Sequence, residues 1–162
     1  MEYEKIFRML AAEKVDYLIA GGLAVNLHGV PRFTRDIDLM VDPSEKNLAR
    51  LGKALKKLGY RPKYPVRIAD FLNPENWGKW KREKGMTAFN LYHPRSPLAE
   101  IDVLIDPPFA FEKAKARRTT LQAGNIRLFL LSLGDLIRAK KKAGREQDIA
   151  DVEALSKVRR KK

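Results

Sequence analysis

The chain has 162 residues, with 33 Lys and Arg against 20 Asp and Glu, a net charge of +13 and no cysteine. That length suits one domain with a real core rather than two, and the missing cysteine excludes a disulfide scaffold, a thiol nucleophile and a Cys-rich zinc site. The N-terminus is charged throughout with no cleavage-site pattern, and no apolar run nears the roughly 20 residues of a membrane helix; a soluble cytoplasmic protein with no membrane partner is expected.

Residues 3–13 place Ile6, Phe7, Met9 and Leu10 at mostly helical spacing, and residues 16–20 form a short apolar strand that ends on Gly21-Gly22. Leu23 to His28 predicts a second helix, stopped by Gly29 and Pro31. A strand over 36–42 closes on Pro43-Ser44, where Ser44 caps a helix over 45–58 with Leu48, Leu51, Leu55 and Leu58 on one stripe, and Gly59 ends it. Between 60 and 87, Pro62, Pro65 and Pro74 break the pattern; an extended stretch and one short helix near 75–83 are the reading. Residues 86–93 and 100–106 predict two strands around a turn at 94–97, and a short helix follows over 109–116. A strand pair across Ala123-Gly124-Asn125, a helix from Ser132 and another from Gly144 to about Val158 complete an α+β domain, with a core over about 1–130 and a helical C-terminal part.

The basic excess concentrates in residues 101–162, with 15 Lys and Arg against 8 Asp and Glu. Attraction to phosphates and a merely solubilising face account for it equally well.

The chemistry-bearing residues lie elsewhere. Asp36 and Asp38 are two apart in a strand, so both side chains share one face. Asp102, in the second acidic strand, has the same local setting, with Glu100 two residues before it on the same face. If the strands are neighbours, three carboxylates converge, and a divalent ion is the natural relief of their repulsion. Gly21-Gly22, where a strand runs into a helix, lets backbone approach a phosphate, and Arg32 and Arg35 add cations just before the acidic pair. Phosphate cradle, metal ligands and cations together are what phosphoryl transfer needs. His28 and His93 have no cluster partners. Trp77, Trp80 and Tyr64 beside Lys79, Lys81 and Arg82 have the composition of a base-stacking surface, although packing explains them as well.

Gly21-Gly22, 13 residues, then Asp36-Ile37-Asp38-Leu39 resembles the signature of the DNA polymerase β-like nucleotidyltransferase superfamily, and the surrounding GGLAVNLHGVPRFTRDIDLMV is similar to its minimal nucleotidyltransferases and abortive-infection type toxins. The resemblance implies a nucleotidyltransferase fold: a small mixed β-sheet with flanking helices. It implies Asp36, Asp38 and Asp102 as catalytic and metal-binding carboxylates for Mg²⁺ or Mn²⁺, with an NTP as co-substrate. Gly21, Gly22 and Arg35 would bind the nucleotide, joined by Lys140, Arg145 and Asp148, with Asp151 a further match, from a C-terminal motif of those toxins; an exposed helix with internal ion pairs accounts for this last group equally well. Many relatives carry Ser at the second Gly, so here the backbone at Gly22 offers no hydroxyl. The implied activity is transfer of an NMP group to an acceptor hydroxyl. RNA such as a tRNA 3′ end is the first choice of acceptor. An antitoxin-type enzyme that adenylylates a partner protein, and an inactive nucleotide-binding module, are the alternatives, and a toxin–antitoxin partner is expected.

Overall fold

The computed structural model describes residues 2–162, apart from the side chains at 97 and 98. Eight helices and seven strands follow one another among these residues: α1 (Glu2–Ala12), β1 (Tyr17–Ala20), α2 (Gly21–Leu27), β2 (Ile37–Val41), α3 (Glu45–Leu58), β3 (Arg61–Pro62), α4 (Ile68–Phe71), α5 (Glu75–Lys84), β4 (Ala88–His93), β5 (Ser96–Leu104), α6 (Phe111–Arg117), β6 (Thr119–Ala123), β7 (Ile126–Leu130), α7 (Leu133–Ala143) and α8 (Glu146–Lys161). The strands form one mixed sheet in the order β3-β4-β5-β2-β1-β7-β6. Its middle pairs β2 antiparallel to β1 and parallel to β5. This is the α+β arrangement with a small mixed sheet that the sequence predicts.

The central strands turn apolar side chains into the core, with Leu18, Ile19, Ile37, Leu39, Ile101 and Val103 wholly removed from solvent, and that burial rather than strand propensity supplies most of the drive to pair them. Helix α3 keeps its predicted limits because both ends carry their own stops: Ser44 accepts a hydrogen bond from the Asn47 N–H, and Gly59 turns left-handed at φ 82°. The leucine stripe of α3 faces the core. Helix α1 packs on α3 and β7, while α2 lies against β1, β2 and α7.

Besides shifts of one to three residues at other element ends, the structure departs from the sequence reading in these places. Helix α2 begins at Gly21 itself rather than at Leu23, because Gly21 takes φ 58° and turns the strand straight into the helix. The turn after β4 is narrower than 94–97: His93 already pairs with Ser96, so β5 begins four residues earlier than predicted. Between 60 and 87, the short β3 and α4 accompany the expected helix α5. Their core is aromatic. Phe89 stacks on Phe71 with ring centroids 4.3 Å apart and on Trp80 at 5.4 Å, and the Trp77 indole N–H donates to the Phe71 carbonyl at 2.7 Å. Both tryptophans are buried, so packing rather than stacking on bases is their role.

At the C-terminus α7 and α8 form an antiparallel pair hinged at Gly144, which is left-handed at φ 64°. Asp148 closes the start of α8 by accepting from the Arg145 backbone N–H at 3.2 Å. No helix among the described residues is long and apolar enough to cross a membrane.

Candidate active site

β1 feeds α2 at one end of the sheet, and β2 and β5 lie beside it in register, with Ala20 opposite Asp38 and Asp38 opposite Asp102. A cavity of about 740 Å³ opens there. It is lined by Gly21, Gly22, Asp36, Asp38 and Asp102 from the sheet end, and by Lys140, Arg145 and Asp148 from the C-terminal helices. Eight of the nine positions singled out in the sequence therefore meet at one place. Arg35 does not line the cavity, whereas Arg32 does. Strand-like alternation explains the exchange: residues 32, 34, 36 and 38 are half-buried toward the cavity, and 33 and 35 are exposed on the other side.

The two glycines make room for side chains. A Cβ at Gly21 would stand 1.9 Å from Asp38 Oδ2, so glycine is required for that carboxylate to lie against the backbone. A Cβ at Gly22 would stand 2.8 Å from Thr34 Oγ1 and 3.2 Å from the Arg32 guanidinium carbon. The hydroxyl absent at position 22 is thus present beside it, on Thr34.

Asp38 and Asp102 are destabilised as anions, first of all by burial. Burial, and next the Asp102 charge, push Asp38 up to about 6, against the pull of Lys140 and Arg145. Burial also raises Asp102, with Asp36 and Glu100 adding to it and a hydrogen bond from Asn90 opposing it. Hard oxygen donors with unrelieved negative charge suit a divalent cation, although among the described residues no three such groups are already drawn into a closed metal cage. Glu100 does not line the cavity and is paired with Lys63, 2.5 Å away.

The C-terminal residues form an ion network. Lys140, with its side chain only 8% exposed, lies 3.0 Å from Asp148 and 2.9 Å from Asp151. Arg145 binds Asp148 at 2.7 Å. Arg32, in the loop before β2, binds Asp151 at 2.5 Å and so ties that loop to α8. Burial works to raise Asp148 and Asp151, but hydrogen bonds from Arg145 and Lys140 to the first, and from Lys140 and Gln147 to the second, hold both below the usual carboxylate range. The pairing expected of an internally compensated helix and the approach to the site expected from the resemblance are both present, in the same side chains.

The family described as "Nucleotidyl transferase AbiEii toxin, Type IV TA system" matches residues 6–155. The chain belongs to this AbiEii family. It is accordingly a nucleotidyltransferase. No curated protein sequence matches it. Several solved structures share its fold. The lincosamide antibiotic adenylyltransferase LnuA, bound to lincomycin, superposes with a TM-score of 0.64 at 15% identity, over 97% of this chain and 96% of that one. ANT(2'')-Ia in complex with adenylyl-2''-tobramycin gives 0.60 at 16%, over 97% and 90%. An antigenic nucleotidyltransferase-like protein from Paracoccidioides brasiliensis gives 0.55 at 22%, over 92% and 71%. At these identities the likeness is one of fold.

Sequence reading of this AbiEii chain missed Thr34, Asp106 and Lys142 on the cavity wall and Asn90 behind it. Thr34 carried a signal, since 32, 34, 36 and 38 alternate onto one face. Asn90 carried none, because its nearness to Asp102 exists only across the β4–β5 ladder.

His28 is buried with its Nε2 2.8 Å from the Leu131 carbonyl oxygen, and that site is structural.

Proposed function

We propose that the protein transfers an NMP group from an NTP to an acceptor hydroxyl on RNA, with Mg²⁺ or Mn²⁺ as cofactor and a tRNA 3′ end as the acceptor of choice. The convergence of Asp36, Asp38 and Asp102 with Arg32, Lys140, Lys142 and Arg145 around one cavity carries this reading. Opposite charges so arranged suit a substrate that brings both a triphosphate and its counter-ion.

In this reading Asp36, Asp38 and Asp102 would hold the divalent ion, which when bound would supply charge neutralisation to the phosphates. The backbone at Gly21 and Gly22 lies along the phosphates, with the Thr34 hydroxyl and the Arg32 guanidinium beside it. Lys140 and Arg145 balance the triphosphate charge. Their own carboxylate partners keep them fixed in place before substrate arrives, so little reorganisation accompanies binding. In this reading Asp102 would accept the proton of the acceptor hydroxyl as it attacks the α-phosphate and pyrophosphate departs. Arg35, outside the cavity and exposed, would meet the nucleotide only at its rim or contact the acceptor instead.

The net charge of +13 favours a polyanionic acceptor over a cationic drug. Membership of a toxin–antitoxin family supports the product of a paired antitoxin gene as partner. The same family supports a second acceptor class, a partner protein that becomes adenylylated in the cytoplasm. Purified protein incubated with each α-phosphate-labelled NTP, Mg²⁺ and either total tRNA or a nuclease-treated lysate distinguishes them. Label on RNA that vanishes with Asp36→Asn is the expected result; label on a protein band moves the reading to the second class, and nucleotide binding with no transfer to either leaves an inactive module.

A further inference from the structure

The segment between 60 and 87, which matched nothing recognisable in sequence, reaches the site through side chains behind Asp102. Asn90 stands directly opposite Asp102 in the β4–β5 ladder, and its Nδ2 donates to Asp102 Oδ1 at 2.6 Å. An ionised carboxylate only accepts, so the amide must present its NH₂ group there. Its oxygen then faces Tyr64, whose hydroxyl donates to it. Tyr64 is itself seated by its ring against Phe89, centroids 5.7 Å apart, in the aromatic core of the segment. Lys63, one residue earlier, donates to Glu100, which precedes Asp102 by two residues on the same strand. Two neighbouring residues of this segment thus act on the two acidic side chains of one face of β5.

We infer that Asn90 is a positioning residue for the third carboxylate of the site: it occupies Oδ1, fixes the plane of the carboxyl group and leaves Oδ2 for the divalent ion and the acceptor, while Tyr64 fixes which end of the amide faces Asp102. This rests on the proposed metal-dependent transfer. A hydrogen-bonded partner behind a ligand orients it, and losing such a partner commonly costs about 10- to 100-fold in metal affinity or activity. If Asn90 merely satisfies a polar atom in the sheet, its loss lowers stability and leaves ion affinity alone.

The test is Mn²⁺ binding by calorimetry to the full chain without nucleotide, for the wild type, Asn90→Ala and Tyr64→Phe, beside thermal melting of each in EDTA. Asn90→Ala is expected to weaken Mn²⁺ about 10- to 100-fold. Tyr64→Phe should weaken it less, in the same direction, with its melting temperature near that of the wild type because the side chain is 37% exposed. In turnover, Asn90→Ala should lower kcat and raise the Mn²⁺ concentration for half-maximal rate while the KM for NTP stays near its wild-type value. Wild-type Mn²⁺ affinity in Asn90→Ala overturns the inference. If that variant fails to fold, wild-type affinity in Tyr64→Phe overturns it instead. A wild-type protein that binds no Mn²⁺ overturns the metal-dependent reading itself, and the inference with it, so the two failures are told apart by the wild-type arm.

Discussion

Replacing Asp38 with Asn should stabilise the metal-free protein while abolishing transfer. Asp38 is held at about 6 in the fold, first by burial and then by the Asp102 charge, against an ordinary value of 3.8. That gap corresponds to about 3 kcal/mol favouring the protonated over the ionised side chain. The folded protein keeps this proton up to about pH 6, while the unfolded chain releases it near its ordinary value. The stability contributed by the neutral acid is therefore fully present at low pH and is lost as pH rises through about 6. Asn is neutral at every pH. In EDTA at pH 8, Asp38→Asn should melt higher than the wild type by up to about 10 °C, since for a chain of this size about 1 kcal/mol shifts Tm by roughly 2–4 °C. The difference should shrink toward zero near pH 4. Mg²⁺ should raise the wild-type Tm and not that of the variant, narrowing the gap. A gap independent of pH, or an Asn variant that melts lower than the wild type at pH 8 in EDTA, refutes the reasoning.

Gly21→Ala should lose transfer by more than about 100-fold and melt lower, because the new methyl meets Asp38 Oδ2 at 1.9 Å and the residue sits at φ 58°; turnover and thermal melting check both. Lys140→Met removes the cation between two carboxylates that are almost wholly buried, so urea unfolding should show a loss of about 3–5 kcal/mol. Trp77→Phe should cost stability through the lost contacts and the lost hydrogen bond to the Phe71 carbonyl yet leave the affinity for RNA unchanged, as a binding titration would show. If RNA is the acceptor, the apparent affinity for it should fall steeply with salt, with log K linear in log salt concentration.

What could be read in the sequence was what local chemistry dictates. Helix α3 carried its own start, stripe and stop, so its limits needed no tertiary information. The acidic strands were legible because acidic residues alternate with apolar ones in both, as Asp36-Ile37-Asp38-Leu39 and as Glu100-Ile101-Asp102-Val103, the pattern of a half-buried strand. The segment after Gly59 was opaque for the opposite reason: α4 is four residues long, too short to form by propensity, and it is held by tertiary contacts, with Phe71 and Trp80 stacked on Phe89 of β4 and Trp77 stacked on Phe71. In the site, strand periodicity put Asp36 and Asp38 on one face and the resemblance added Asp102; Arg35 was chosen where the structure turns Arg32 to the cavity, because the alternation continues backward through the loop. The true reason for the glycines was not legible. A sequence shows that a glycine permits close approach, and only the fold shows that Asp38 at Gly21, and Thr34 with Arg32 at Gly22, are what approach. Likewise, Asn90 becomes part of the site through the β4–β5 pairing alone.

The central claim is that three carboxylates, two strands and a C-terminal ion network act together to transfer a nucleotidyl group. The most direct measurement supplies the protein with Mg²⁺, tRNA and ATP labelled at either the α- or the γ-phosphate, together with the other three NTPs in the same two forms, and compares the wild type with Asp38→Asn and Asp102→Asn. Label retained on the acceptor from the α-position only, with loss in both variants, is the predicted outcome. Transfer from the γ-position, or undiminished α-transfer by either variant, would contradict the account.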